Sequence, residues 1–383
     1  SITIGTMDID SGTVIYDGTG TTIEDDMSGY YDLQLSGSGT WLTVDGQALD
    51  INQDLTISAS NELDIQDENM DLTGTLSNLG ILKLDGVQNV TIGTMDTNSG
   101  TVEYDGSGSY SKFSATESLV DDKYYDLVIS GSGTWDIDDA LIVNDDLTIS
   151  AGSLDLNAQN LTVSASLIND SILRMQGSET VNIGTFDTNS GTIEYDGAGS
   201  YSALNATANE TTDTYFDLVF SGSGTYDADD AVIVKNNLTI SNGVLDINSN
   251  NLTVEETLEN TAVLRLQGTE TVNIVQFDTD SGTIEYDGSG TYSSLKATAL
   301  EVLDKYYDLV ISGSGTWNIN DDLEVVNNLT LTSGSLDINS NNLTVTEIFS
   351  NESVLRMQGS ETVNIGTFDT DSGTIEYDGT GSY

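Results

Sequence analysis

Residues 328–346 read NLTLTSGSLDINSNNLTVT. Within them Leu329 and Leu331, Leu336 and Ile338, and Leu343 and Val345 are three apolar i, i+2 pairs, each starting seven residues after the last. Such a pair is one face of a short β-strand, because successive side chains point to opposite sides of the pleat. The residues between the pairs, Ser-Gly and Asn-Ser-Asn-Asn, tolerate left-handed or tightly bent backbone. The same rhythm occurs at Leu238/Ile240, Leu245/Ile247 and Leu252/Val254, and at Leu147/Ile149, Leu154/Leu156 and Leu161/Val163. Three short strands in about 21 residues predict one triangular coil of a parallel β-helix, an all-β fold.

The coil belongs to a longer period. Ser-Gly-Thr-(Val/Ile)-x-Tyr-Asp-Gly starts at Ser11, Ser99, Ser190, Ser281 and Ser372, at intervals of 88, 91, 91 and 91 residues. A (Tyr/Phe)-Asp-Leu block followed by Ser-Gly-Ser-Gly-Thr recurs at Asp32, Asp126, Asp217 and Asp308. Self-similarity at a fixed period identifies a repeat array. The expected organisation is one continuous array over residues 1–383, with units near 1–89, 90–180, 181–271 and 272–362 and a partial unit at 363–383. A 91-residue unit is expected to hold about four coils of roughly 22–23 residues, advancing about 19 Å along the axis. The alternative is a string of immunoglobulin-like β-sandwiches. The short strands, the missing linkers and the lack of a Cys-Trp-Cys pattern argue against it.

The phrases NLTISNGVLDINSNNLTV (237–254), GTIEYDGSGTYSSL (282–295) and YYDLVISGSGTW (306–317) resemble β-solenoid repeats of large secreted prokaryotic surface proteins. These include haemagglutinin-like adhesins and S-layer-associated or filament proteins. The resemblance covers nearly the whole chain and its motifs describe coil geometry. It implies a right-handed parallel β-helix, secreted and attached at the cell surface, and it names no ligand.

Composition narrows the chemistry. The formal net charge is −54, from 63 acidic and 9 basic residues. Phosphate binding needs Lys and Arg patches, so nucleic acid is excluded as a partner. No stretch approaches the ~20 apolar residues of a membrane-spanning helix. The chain has no Cys and no His, which removes disulfides, thiolate nucleophiles, Ser-His-Asp triads and the usual zinc ligand sets. It also has no Pro, which suits a chain of paired strands because Pro cannot donate to a ladder.

The strongest candidate for chemistry is Asp-x-(Asp/Asn)-Ser-Gly, at Asp8/Asp10, Asp96/Asn98, Asp187/Asn189, Asp278/Asp280 and Asp369/Asp371. Alternating oxygen side chains before a Gly turn point to Ca²⁺, which takes six to eight oxygen ligands. The plain alternative is a turn whose Asp and Asn cap local N–H groups. Lys83, Arg174, Arg265 and Arg356 share one register and are expected to pair with acidic groups on adjoining coils. Tyr16, Tyr104, Tyr195, Tyr286 and Tyr377 precede Asp-Gly, while Trp41, Trp135, Tyr226 and Trp317 follow Gly-Ser-Gly-Thr. These rings suit either core packing or stacking on surface glycans. Candidate N-glycosylation sites are Asn89, Asn160, Asn169, Asn205, Asn209, Asn237, Asn251, Asn328, Asn342 and Asn351. The least repetitive stretches, 111–122, 202–214 and 293–304, read as insertions at one register.

The expected function is structural: an extracellular rod or filament subunit that associates with itself through open β edges. An adhesin stalk that recognises glycans or a neighbouring surface is the alternative. An enzyme is disfavoured, because every Asp-rich candidate is repeated instead of forming one asymmetric site.

Overall fold

The computed structural model describes residues 10–381 apart from 24–28, 45, 47, 117–120, 205, 207–211, 296, 298–302 and 370. It contains two compact units, Ser1–Thr192 and Ile193–Tyr383. Among the described residues there is no α-helix.

In the first unit the strands Thr134–Asp136, Leu141–Val143 and Leu147–Ile149 follow one another around a turn. Each pairs in parallel with the strand one turn on, in the registers Thr134↔Ser153, Leu141↔Leu161 and Leu147↔Leu167. The second unit repeats this with Thr316↔Ser335, Leu323↔Leu343 and Leu329↔Phe349. Three strands per turn and parallel pairing at offsets of 19 or 20 residues define a β-solenoid. Two-sheet sandwiches need antiparallel partners, and none occurs among the described strand pairs.

The apolar pairs read from the sequence point inward. Leu245, Ile247, Leu336, Ile338, Leu329 and Leu331 are all fully buried. Full burial of one such side chain stabilises by about 1.5–3 kcal/mol. The corners bend as their composition requires. Asn248 and Ser249 have φ of 54° and 71°, and Asn339 and Ser340 have 54° and 81°. At Gly243 the backbone sits at φ +69°, and a Cβ there would lie 2.3 Å from the carbonyl oxygen of Gly224 one turn below. Only glycine fits that corner.

The division of the repeat differs from expectation. In the second unit the registers Thr291↔Thr316, Thr316↔Ser335, Ser335↔Val354 and Val354↔Thr374 give turns of 25, 19, 19 and 20 residues. Together with the eight residues from Thr283 to Thr291 they account for the 91-residue period. One repeat is therefore four turns plus one further side. The turns are shorter than the expected 22–23 residues, except the one that holds the insertion. As a result Thr283–Tyr286 stacks on Val263–Leu266 and carries Asp308–Ile311, strands that stand on adjacent sides in their own repeats. The first unit makes the same step with Thr101–Tyr104, between Ile81–Leu84 and Asp126–Ile129.

Candidate functional site

The Asp-x-(Asp/Asn)-Ser-Gly motif lies at this one-side step. Asp278 Oδ2 accepts the N–H of Asn260 at 3.0 Å and lies 2.9 Å from Ser281 Oγ, while its Oδ1 accepts the N–H of Asp280 at 2.8 Å. Asn260 is 2% exposed. Its Nδ2 donates to Thr283 O at 3.1 Å and its Oδ1 accepts the N–H of Ala262 at 3.1 Å. The staple recurs with Asp96 on Asn78 at 2.9 Å and with Asp187 on Asn169 at 3.4 Å. In those copies the N–H groups of Asn98 and Asn189 donate to Asp96 Oδ1 and Asp187 Oδ1 at 3.0 and 2.8 Å. At the last copy the N–H of Asp371 donates to Asp369 Oδ1 at 2.9 Å.

The third motif position thus contributes its backbone N–H, and the side chains of Asn98, Asn189, Asp280 and Asp371 stand on exposed residues. That explains why Asp and Asn interchange there. Asn98 and Asn189 enter these turns as backbone N–H donors, the arrangement of the plain-turn alternative. Asp10 is exposed, and Asp8 lies outside the described residues. At Asp96, Asp187 and Asp278 the carboxylate oxygens are engaged by backbone N–H groups and by a serine hydroxyl. The geometry is that of a capped turn.

Another acidic group has the spacing a hard cation needs. The ligand oxygens of Asp126, Asp145 and Asp146 lie within 4.8 Å of one another. Partial burial raises the pKa of the Asp126 carboxyl; the N–H of Asp146 opposes this, and the charges of Asp145 and Asp146 add to it. In the last full repeat the same register reads Asp308, Asn327 and Asn328. There Asn327 Nδ2 and the Asn328 N–H both donate to Asp308 Oδ1 at 2.9 Å. The second repeat thus replaces an amide donor by a carboxylate, and its three acids offer only oxygens, the ligand type of Ca²⁺.

The recurring cations stack between turns. Arg265 bonds Glu285 Oε2 through Nε at 3.0 Å and reaches Asp246 Oδ2 through Nη1 at 3.4 Å. Glu285 Oε1 in turn accepts Ser312 Oγ at 2.6 Å. Lys83 lies 3.0 Å from Asp105 and 3.7 Å from Glu103. Partial burial works against the Lys83 charge, yet Asp105, Glu103 and Glu62 hold its pKa above the ordinary value. Arg174 lies 3.8 Å from Asp155, and Arg356 2.8 Å from Glu376. Asp246, Arg265 and Glu285 form a column on three successive turns, and each of the other three cations pairs with an acid on an adjoining turn.

A second recurring carboxylate went unnoticed in the sequence. Glu179 accepts the N–H groups of Ala158, Gln176 and Gly177 at 3.1, 2.7 and 2.7 Å. Glu361 takes the same role toward Ser340, Gln358 and Gly359. Burial pushes the Glu361 carboxyl up, but the N–H groups of Gln358, Glu361, Gly359 and Ser360 outweigh it and hold its pKa below the usual value. The visible signal was Gln-Gly-(Ser/Thr)-Glu at a fixed place in the unit.

Most of the register aromatics are core residues, with Trp41 buried as well, whereas Tyr16 is half-buried and Tyr377 exposed. Trp135, Tyr226 and Trp317 are fully buried, as are Tyr104, Tyr195 and Tyr286. Trp135 stacks on Tyr110 at 5.1 Å, Tyr226 on Tyr201 at 5.0 Å and Trp317 on Tyr292 at 5.1 Å. Of the sequons, Asn89, Asn160, Asn251 and Asn342 are exposed, Asn237 and Asn328 are half-buried, and Asn205 and Asn209 lie outside the described residues. Asn169 and Asn351 are buried, engaged in the staple at the one-side step. No helix of the described residues is long and apolar enough to cross a membrane.

Comparison with protein-family models, with curated proteins and with solved structures finds no match to this chain.

Proposed function

We propose that the chain is an extracellular, cell-surface structural element whose repeats build length and whose strand edges join copies into a fibre. The observation that carries this reading is the shared strand at the repeat boundary. Thr283–Tyr286 has Val263–Leu266 of the preceding repeat on one edge and Asp308–Ile311 of its own repeat on the other. A repeat with that boundary shares its ladder with its neighbour, so stability and length grow with copy number.

Self-association is proposed through the same kind of ladder: the edge of a parallel strand is a template for a further strand, whether of the same chain or of a second copy. The charge of −54 opposes contact between copies at low ionic strength and is screened by salt. Electron microscopy and sedimentation velocity across protein concentration and salt test the proposal. Particles that lengthen with concentration and salt are expected, and a single particle length under all conditions would overturn it.

A further inference from the structure

The insertion that follows Tyr110 is fastened by a buried network that ends on an acid. Residues 113–116 lie against the solenoid, with Phe113 fully buried and Ala115 and Thr116 each 1% exposed. Phe113 packs on Tyr104 and Tyr124, at ring-centroid distances of 4.8 and 5.7 Å. The N–H of Ala115 donates to Tyr104 Oη at 3.1 Å, and Tyr104 Oη lies 3.1 Å from Tyr124 Oη. Tyr124 Oη lies 2.9 Å from Thr116 Oγ1, which donates to Asp122 Oδ1. Each hydroxyl has one proton. With the Thr116 proton on Asp122, Tyr124 donates to Thr116 and Tyr104 to Tyr124, so the chain runs one way and terminates on the carboxyl. Asp122 is 3% exposed, and its Oδ2 has no hydrogen-bond partner among the described residues.

We infer that residues 113–116 form a pH-released strap, held closed while Asp122 carries a proton on Oδ2 and loosened when that proton leaves. Apart from Thr116, whose hydroxyl favours the ionised form, the groups facing Asp122 oppose its ionisation or leave it uncompensated. Tyr104 and Tyr124 are neutral, and burial raises the pKa of both hydroxyls. Asp138 and Asp139, in the loop before Leu141–Val143, add negative charge, as does Asp121, the residue just before the Asp122–Tyr124 strand. Lys123 is taken up by Asp121 at 3.2 Å. Burial is the largest influence and pushes the Asp122 carboxyl up to about 7, against the lowering by Thr116. The anchor recurs. Asp213 and Asp304 are 2% and 4% exposed at the same register. Ala206 and Ala297 donate to Tyr195 and Tyr286 at 3.1 and 3.0 Å.

The sign follows from the two states. The closed strap keeps the Asp122 proton up to about pH 7, while the open one releases it near the ordinary 3.8. Between those values each pH unit favours opening about tenfold, and the effect levels off above pH 7. Hydrogen exchange of the intact protein, followed by mass spectrometry and corrected for the intrinsic rate, reads this directly. Protection of residues 113–116 is expected to fall about tenfold per unit from pH 5 to pH 7 in the wild type, and to be flat in Asp122→Asn. Constant protection in the wild type, or an unchanged slope in Asp122→Asn, overturns the inference. A carboxyl ¹³C titration of Asp122 in the wild type decides independently of whether the variant folds: a midpoint near 4 refutes the strap.

Discussion

Replacing Asn260 by Ala removes the side chain that ties the one-side step together. Asn260 is 2% exposed, donates to Thr283 O at 3.1 Å and accepts from the Ala262 N–H at 3.1 Å. Alanine reaches neither, so one half-buried carbonyl and one half-buried N–H lose their partner. Each such loss costs about 1–3 kcal/mol where water does not replace the bond, which places the sum near 2–4 kcal/mol. The N–H of Thr283 donates to Ala262 O at 2.8 Å, so this amide sits inside the damaged junction and reports on it. Its hydrogen-exchange protection is expected to drop roughly 30- to 1,000-fold at a tenfold change per 1.4 kcal/mol. Amides of the Ser335–Asp337 strand, which pairs with Thr316–Asn318 and Val354–Met357 away from the step, are expected to change far less. Thr283 protection within about threefold of wild type would refute the staple.

Leu245→Ala, in a fully buried position, is expected to cost about 2–5 kcal/mol, read as a lowered denaturation midpoint. Arg265→Met is expected to cost only about 1 kcal/mol, because the Arg265 side chain is 26% exposed and solvent screens its pairs; a larger loss in a denaturant titration would mean the column is a main source of stability. Trp317→Tyr should cost less than about 1.5 kcal/mol. Tyr226 occupies the same register and bonds Gly197 O at 2.8 Å, whereas Trp317 Nε1 has no partner among the described residues; a drop in melting temperature beyond that range would show that ring size matters more than the bond. With a net charge of −54, the melting temperature followed by circular dichroism should rise between low salt and about 0.5 M NaCl. A flat response would mean that self-repulsion does not limit stability.

The side of the solenoid was legible in the sequence, because seven-spaced pairs such as Leu329/Leu331 and Leu336/Ile338 mark inward positions directly. The step between repeats was also written there in principle. At seven residues per side, 91 residues make thirteen sides, which is four turns of three plus one. Dividing the period into whole coils concealed this. The staple was half visible: Asp278 and Ser281 stood out as a motif. Asn260 stands eighteen residues before Asp278 and becomes its neighbour only once the turn length is known. For the same reason, the sequon reading of Asn169 and Asn351 overlooked their burial. The aromatic register could not separate packing from display, since Trp317 and Tyr226 follow the same Gly-Thr whichever way the strand faces. The acid at Asp122 looked like one of many until the inward direction of its strand was known.

Paired cysteines test the shared boundary strand most directly, in a chain that has no cysteine of its own. Val263→Cys with Thr283→Cys joins the strand to the preceding repeat, and Glu285→Cys with Val310→Cys joins it to the next turn of its own repeat. Both pairs are expected to cross-link through a short bis-thiol reagent in the folded protein. Cross-linking of the second pair without the first would contradict the continuous ladder and return the repeats to separate, self-closed bodies.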